Sequence, residues 1–264
     1  MGVLPTAALR GVGVLVTRPE HQATRLCNLL ESAGALVVRL PAIRIEPLAD
    51  LESLATRVGP LAGFDLIVFI STNAVRCGAA LLMGNRHPRL AAIGPATARA
   101  LDASGHPVTV TPEGGFDSES LLRELEAARL TGQRVLLIKG LHGRELLQDQ
   151  LTARGAQVTA VDVYRRVPAH PDGATLTALE ATIAAGRIQV VTVTSAEIAA
   201  GLIAMATPAL RSAFDRVQWL VPGARVAAAV RDHGVTAPIL QADSALDQDL
   251  VSAIVRWRES VSGA

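Results

Sequence analysis

The chain repeats itself, and nothing else in it limits the possible folds as strongly. Val14 to Pro47 lies over Val135 to Pro168 without a gap. Identical pairs include Val14/Val135, Leu26/Leu147, Leu30/Leu151, Gly34/Gly155, Arg44/Arg165 and Pro47/Pro168. Two looser matches follow. Phe64 to Val75 parallels Ile188 to Ala199, pairing Ser71 with Ser195, and Ala92 to Leu101 parallels Val221 to Val230, pairing Gly94 with Gly223. Duplicated halves point to a two-lobed protein with a cleft between similar domains, where ligands tend to bind.

Each copy of the tighter repeat reads as strand, helix, strand. Gly11 to Thr17 is a continuous apolar run that suits a buried strand, and Glu20 to Ala33 carries Leu26, Leu29 and Leu30 at helical spacing. Gly34 then stops the helix, and Ala35 to Leu40 is the next strand. The same unit recurs at Arg134–Ile138, Glu145–Arg154, Gly155 and Val158–Tyr164. Further strands are expected at 66–70, 90–93, 108–110, 190–193, 217–221 and 238–240. Further helices are expected from Ser71, over 95–103, 118–128, 196–205 and 224–232, and over 246–256. Apolar strands alternating with amphipathic helices predict an α/β fold with parallel sheets covered on both faces.

Pro41–Pro47 and Val161–Pro168 break this alternation. Each follows the second strand of a repeat, mixes apolar with charged residues, and ends at a proline, which keeps its predecessor out of the helical region. Read as extended inter-domain connectors (41–47 and 161–168), they define a continuous domain over 48–160. The other domain is discontinuous, 1–40 plus 169–264.

Composition removes several function classes. Of 264 residues, 50% are hydrophobic and the formal net charge is +1, so neither disorder nor a nucleic-acid-binding basic field is indicated. A single Tyr, two Trp and four Phe leave little for base stacking. No apolar run is long enough to span a membrane, and no signal-peptide pattern opens the chain. Cys27 and Cys77 have no metal-ligand spacing and read as free thiols of a reducing cytoplasm. The histidines are scattered, so no metal is expected.

Chemistry in a parallel sheet collects where strands end and helices begin. Arg18 follows the first strand and Lys139 occupies the matching place in its repeat. Each is open to two readings, a solvated loop cation or a group that holds an anion beside a helix N-terminus. Ser71-Thr72-Asn73 and Thr194-Ser195-Ala196 read as helix N-caps that leave other N–H groups free for a ligand. Gly94-Pro95-Ala96-Thr97 and Pro222-Gly223 are glycine turns that admit close approach to the backbone. Neither is a nucleotide-binding loop. Tyr164 lies in the second connector, where it either packs or faces a ligand. No Ser-His-Asp, Cys-His or paired-carboxylate set stands out.

The stretches VTRPEHQATRL, GALVVRLPAIRIEP, FDLIVFISTNAV, AAIGPATARAL, VLLIKGLHGRELLQDQL, VDVYRRVP, VVTVTSAEIAAGL and VPGARVAAAV, in this order, resemble the uroporphyrinogen-III synthase family over nearly the whole chain. The resemblance implies two similar α/β domains with parallel sheets flanked by helices, joined by a two-stranded β-ladder. It implies a cofactor-free lyase of tetrapyrrole biosynthesis. Hydroxymethylbilane loses its terminal hydroxyl to give an azafulvene, and the last ring attacks through its substituted carbon. The resulting spiro intermediate fragments and recloses with that ring inverted, giving uroporphyrinogen III and water.

By the same resemblance, Tyr164 is the catalytic residue. Ser71, Thr72, Asn73, Gly94, Thr97, Lys139, Gly140, Arg144, Ser195 and Gly223 are substrate-binding, with Arg18 added as the repeat partner of Lys139. The family often has threonine where Val226 stands. Expected partners are the linear tetrapyrrole alone, without nucleic acid or membrane. The protein is expected to be a monomer, with hand-over from hydroxymethylbilane synthase plausible on chemical grounds. Two other classes stay open at this point: a non-catalytic tetrapyrrole- or anion-binding module of the same fold, and a periplasmic-type two-lobed binding protein.

Overall fold

The structure, a computed structural model, describes residues 7–84, 88–112, 118–126, 130–141 and 145–262. The chain forms two compact units, Met1–Arg44 with Val167–Ala264 (unit 1) and Ile45–Arg166 (unit 2).

Unit 1 begins with β1 (Gly13–Val16), α1 (Glu20–Ser32) and β2 (Leu36–Arg39), and the chain leaves it on β3 (Ile43–Pro47). Unit 2 contains α2 (Leu51–Val58), β4 (Leu66–Phe69), α3 (Thr72–Gly78), β5 (Arg89–Ala92), α4 (Pro95–Ala103), α5 (Ser118–Glu126), β6 (Arg134–Gly140) and α6 (Leu146–Ala153). The return is made on β7 (Gln157–Pro168). Unit 1 is completed by α7 (Gly173–Ala184), β8 (Val190–Thr192), α8 (Ala196–Met205), α9 (Pro208–Phe214), β9 (Gln218–Val221), α10 (Ala224–Asp232), β10 (Ile239–Gln241) and α11 (Asp247–Ser262).

The sheet of unit 1 has the order β10-β9-β8-β1-β2 and is parallel throughout. The other sheet has the order β3-β7-β6-β4-β5, parallel from β7 to β5. Side chains of a strand alternate between its two faces, and the cores follow that rule. Val14 and Val16 of β1 pack with α1 and α11, whereas Leu15 joins the core under α7 to α10. In unit 2, Ile67 and Phe69 of β4 pack with α2, α3 and α4, while Leu66 and Val68 pack with α5 and α6. Central strands buried on both faces account for the continuous apolar runs of the sequence.

The repeat is visible in both units but shuffled along the chain. The run β9-β8-β1-β2 of one sheet corresponds to β5-β4-β6-β7 of the other. Each unit therefore combines one copy of the strand-helix-strand repeat with one copy of the looser segment. In unit 1 the tight repeat comes first along the chain, and in unit 2 it comes last. Gly34 and Gly155 end the equivalent helices with φ of 90° and 85°, a conformation that glycine adopts without steric cost.

Both stretches read as connectors contain strand. Ile43–Pro47 is β3, and Val161–Pro168 is the continuation of a single twelve-residue strand, β7, that lies beside it. The strand expected at 108–110 is reduced to one bridge between Val110 and Ala91. Pro107 and Pro112 flank it and cannot donate to a ladder. Among the described residues no helix is long and apolar enough to cross a membrane.

Candidate active site

In unit 2 the carboxyl ends of β4, β6 and β7 bring together residues that are distant in sequence. Ser71 caps α3, its Oγ accepting the Ala74 N–H at 3.0 Å. The same Oγ is 3.1 Å from the Tyr164 hydroxyl. Tyr164 is 2% exposed. Its hydroxyl oxygen also accepts a hydrogen bond from Arg166 Nη2 at 3.1 Å, and the Arg166 guanidinium carbon lies 5.4 Å from the ring centroid.

A β-bulge puts the tyrosine there. Lys139 is opposite Asp162, but the next residue, Gly140, is opposite Tyr164, so Val163 is the extra residue. Bulges are uncommon in parallel pairs and re-aim side chains. Here Val163 and Tyr164 are consecutive yet pack into the same core on one side of the sheet, which strict alternation would forbid. The ring takes up the space where Gly140 has no side chain. A β-carbon at that glycine would lie 2.5 Å from the ring Cζ.

Lys139 is buried, with its Nζ 2.9 Å from Asp162 Oδ1, an ion pair between adjacent strands. Thr72 opens α3, while Asn73 and Thr97 are buried beneath the polar edge at 3% exposure each. Gly94 caps α4 without a side-chain bond, and Pro95 occupies the first turn. Arg144 lies outside the described residues.

Unit 1 has an equivalent edge built differently. Ser195 caps α8 and accepts the Ile198 N–H at 3.2 Å, while Gly223 caps α10 with backbone only. Val226 in the first turn of α10 is buried in the apolar core. Its repeat partner, Thr97, carries a hydroxyl. Thr17 donates through Oγ1 to the Thr192 carbonyl, and Thr192 donates to Leu15 O at 3.3 Å, stitching β1 to β8.

Arg18 is not a solvated loop cation but is held within its own unit, with a carboxylate at the start of α11. Its Nε donates to Thr194 Oγ1 at 3.2 Å, Nη1 contacts Asp247 Oδ1 at 2.5 Å, and Nη2 donates to Ala245 O at 2.7 Å. The side chain is 11% exposed and ties the ends of β1 and β8 to the start of α11. Lys139 is likewise neutralised within its own unit. The physical reason is common to both: a cation withdrawn from water is costly unless a carboxylate accompanies it.

The structure thus clusters Ser71, Gly140 and Tyr164, sets Lys139 next to them along β6, and leaves Arg18, Ser195 and Gly223 in unit 1. The sequence reading passed over Arg166, Asp162 and Asp247. The doubled arginine after Tyr164 was a visible signal for the first. Burial raises the thiols of Cys27 and Cys77 above their ordinary value, against the pull of Arg39 and Arg76 respectively. Among the described residues no three His, Cys, Asp or Glu side chains gather as metal ligands.

A family model described as uroporphyrinogen-III synthase HemD matches residues 24–251. The uroporphyrinogen-III synthase of Escherichia coli is 36% identical over 168 residues, covering 62% of this chain and 68% of its own length. A crystal structure of a mutant uroporphyrinogen III synthase from Thermus thermophilus superposes with a TM-score of 0.56 at 25% identity, covering 96% of this chain and all of the other. The enzyme from Helicobacter pylori gives a TM-score of 0.64 at 13% identity, covering 93% of this chain and 99% of the other, a likeness of fold.

Proposed function

This chain belongs to the uroporphyrinogen-III synthase family, and from that premise we propose that Tyr164 and Ser71 of unit 2 form the donor that assists departure of the substrate's hydroxyl. The chain is an enzyme of tetrapyrrole biosynthesis that acts on the linear tetrapyrrole hydroxymethylbilane. Water and uroporphyrinogen III are the products, with the terminal ring inverted.

The observation that carries this reading is the 3.1 Å contact between the Tyr164 and Ser71 hydroxyls. Arginine can only donate, so Arg166 occupies one lone pair of the phenolic oxygen. The Ala74 N–H occupies one lone pair of Ser71 Oγ. One hydrogen bond joins the two hydroxyls and uses one of their two protons. Whichever way that bond runs, the other proton remains to be donated. A donor held in this way can meet a leaving hydroxyl group without reorganising.

The rest of the reaction asks mainly for position. Hydroxymethylbilane closes unaided to the isomer without inversion. About 1.4 kcal/mol between the two closure barriers already gives tenfold selectivity. Thr72, Asn73, Gly94, Thr97, Lys139, Gly140 and Arg144 are assigned to holding the folded substrate in unit 2. Ser195 and Gly223, with their helix amides, are assigned to binding its carboxylates. Arg18, the repeat partner of Lys139, is assigned to the same substrate-binding set. Hand-over from hydroxymethylbilane synthase would shorten the substrate's exposure to the uncatalysed route. Two free cysteines fit the reducing cytoplasm.

The test is Tyr164→Phe and Ser71→Ala assayed with freshly generated hydroxymethylbilane, with thermal melts as a folding control. Folded variants are expected to lose on the order of 100-fold in kcat, the usual scale for a positioned proton donor. Wild-type kcat in a folded Tyr164→Phe would remove the tyrosine from the chemistry.

A further inference from the structure

We infer that Arg166 is a positioning residue for the reaction: it fixes the Tyr164 hydroxyl as a donor toward substrate and steadies its oxygen as the proton leaves. The inference rests on the Tyr164 reading above. It starts from three features of β7 and its neighbours. Arg166 Nη2 donates to the phenolic oxygen at 3.1 Å. The guanidinium lies over the ring, 5.4 Å from its centroid. The ring itself is buried and seated against the Gly140 backbone.

The polarity of hydrogen bonding gives Arg166 its effect. A phenol can donate one proton and accept at two lone pairs. With the guanidinium on one lone pair and Ser71 donating to the other, the phenolic oxygen has no lone pair left to accept from substrate; with Tyr164 donating to Ser71, one lone pair stays open and the phenolic proton is already committed. If Ser71 donates to Tyr164, the phenolic proton points outward. If Tyr164 donates to Ser71, the serine proton does, with the phenol relaying charge behind it. When Ser71 donates to Tyr164, the phenolic oxygen itself loses the proton and becomes more negative beside the guanidinium; when Tyr164 donates to Ser71, it does so once its own proton follows to Ser71 Oγ. Charge-assisted hydrogen bonds are the stronger kind, and this one strengthens as the proton moves. A contact that tightens only along the reaction lowers the barrier without tightening substrate binding.

Position along the strand sets Arg166 apart from its neighbour. Arg165 is exposed and paired with Glu46 at 3.1 Å on β3. Two residues after Tyr164, Arg166 lies where a strand returns its side chain to the same side, so it can reach back over the ring. The doubled arginine divides its work: one joins β7 to β3, the other serves the tyrosine.

A double-mutant cycle tests this with hydroxymethylbilane as substrate. The variants are Arg166→Gln, Tyr164→Phe and the pair, with Arg166→Lys as the conservative replacement and thermal melts throughout. Arg166→Gln is expected to lower kcat about tenfold while leaving KM within about twofold, and Lys to restore part of the loss. In the Tyr164→Phe background, adding Arg166→Gln should change kcat little, because the oxygen it served is gone. An equal loss in both backgrounds would overturn the inference while leaving the tyrosine reading intact. A loss confined to KM would overturn it too, making Arg166 a substrate ligand. Wild-type kcat in Tyr164→Phe would instead sink the underlying reading, and this inference with it.

Discussion

The ring of Tyr164 lies across the backbone of Gly140, near enough that a single added methyl at the glycine would meet Cζ at 2.5 Å and both Cε atoms at 2.8 Å. Two residues on neighbouring strands thus share one volume, and the bulge at Val163 brings them opposite each other. Gly140→Ala should drive the ring off its seat. Overpacking of this kind costs about 1–3 kcal/mol, and the hydroxyl would be displaced from Ser71 as well. We expect a lowered melting temperature together with a fall in kcat, measured on the same preparation. Unchanged kcat would mean the ring position is not critical.

The repeat supplies a matched comparison. Ser71 and Ser195 both cap helices, accepting N–H groups at 3.0 and 3.2 Å. Replacing either with alanine should cost about 1 kcal/mol of stability, the usual worth of such a cap. Only Ser71 also touches the tyrosine hydroxyl. Ser71→Ala is therefore expected to depress kcat well beyond Ser195→Ala, whose effect should fall mainly on KM. Denaturant unfolding and steady-state kinetics on both variants separate the two contributions.

Arg18 provides a stability prediction. Arg18→Met removes ties to Thr194, Asp247 and Ala245, and leaves the Asp247 carboxylate with Arg25, 3.7 Å away and far more exposed. Breaking a largely buried pair by deleting one member costs roughly 3–5 kcal/mol, and partial exposure here lowers that to about 2–3 kcal/mol. Chemical denaturation should register the loss. Stability equal to wild type would make the cluster incidental.

Two carboxylate caps set part of the acid limb. Asp50 accepts the Ser53 N–H and Asp172 the Thr175 N–H, and these backbone bonds hold both carboxyls below the ordinary aspartate value of 3.8. A carboxyl lowered by folding stabilises the native state above its unfolded pKa. That contribution is lost as pH falls through the folded value. Asn at both positions keeps a capping oxygen without the titration. Melting temperature of the Asp50→Asn/Asp172→Asn variant should therefore fall less steeply than wild type below about pH 4. Parallel curves for the two proteins would refute a role for these caps.

Much of the scaffold was legible because the repeat and the apolar runs report the same periodicities. The helices at Pro95–Ala103, Ala196–Met205 and Ala224–Asp232 have the predicted limits. Helices α2, α7 and α9 went unread. Leu51–Val58 and Pro208–Phe214 are short, and Gly173–Ala184 is a run of alanines, threonines and leucines with little periodicity. Their caps, Asp50, Asp172 and Thr207, were the available signals. At the site, Ser71 and Tyr164 were legible from motif, but their contact was not. It depends on a one-residue bulge, and a bulge follows from how two strands register rather than from the composition of either. Arg18 and Lys139 were found by repetition, but their carboxylate partners, Asp247 and Asp162, carry no marker in the sequence.

Product isomer analysis tests the central claim most directly. Wild type and Tyr164→Phe, both verified as folded, would be given freshly made hydroxymethylbilane, and the oxidised porphyrins separated as isomers I and III. The account predicts mainly isomer III from wild type; Tyr164→Phe is expected to form isomer III about 100-fold more slowly, so that isomer I from the uncatalysed route predominates. Isomer III at equal rates from both proteins would contradict it.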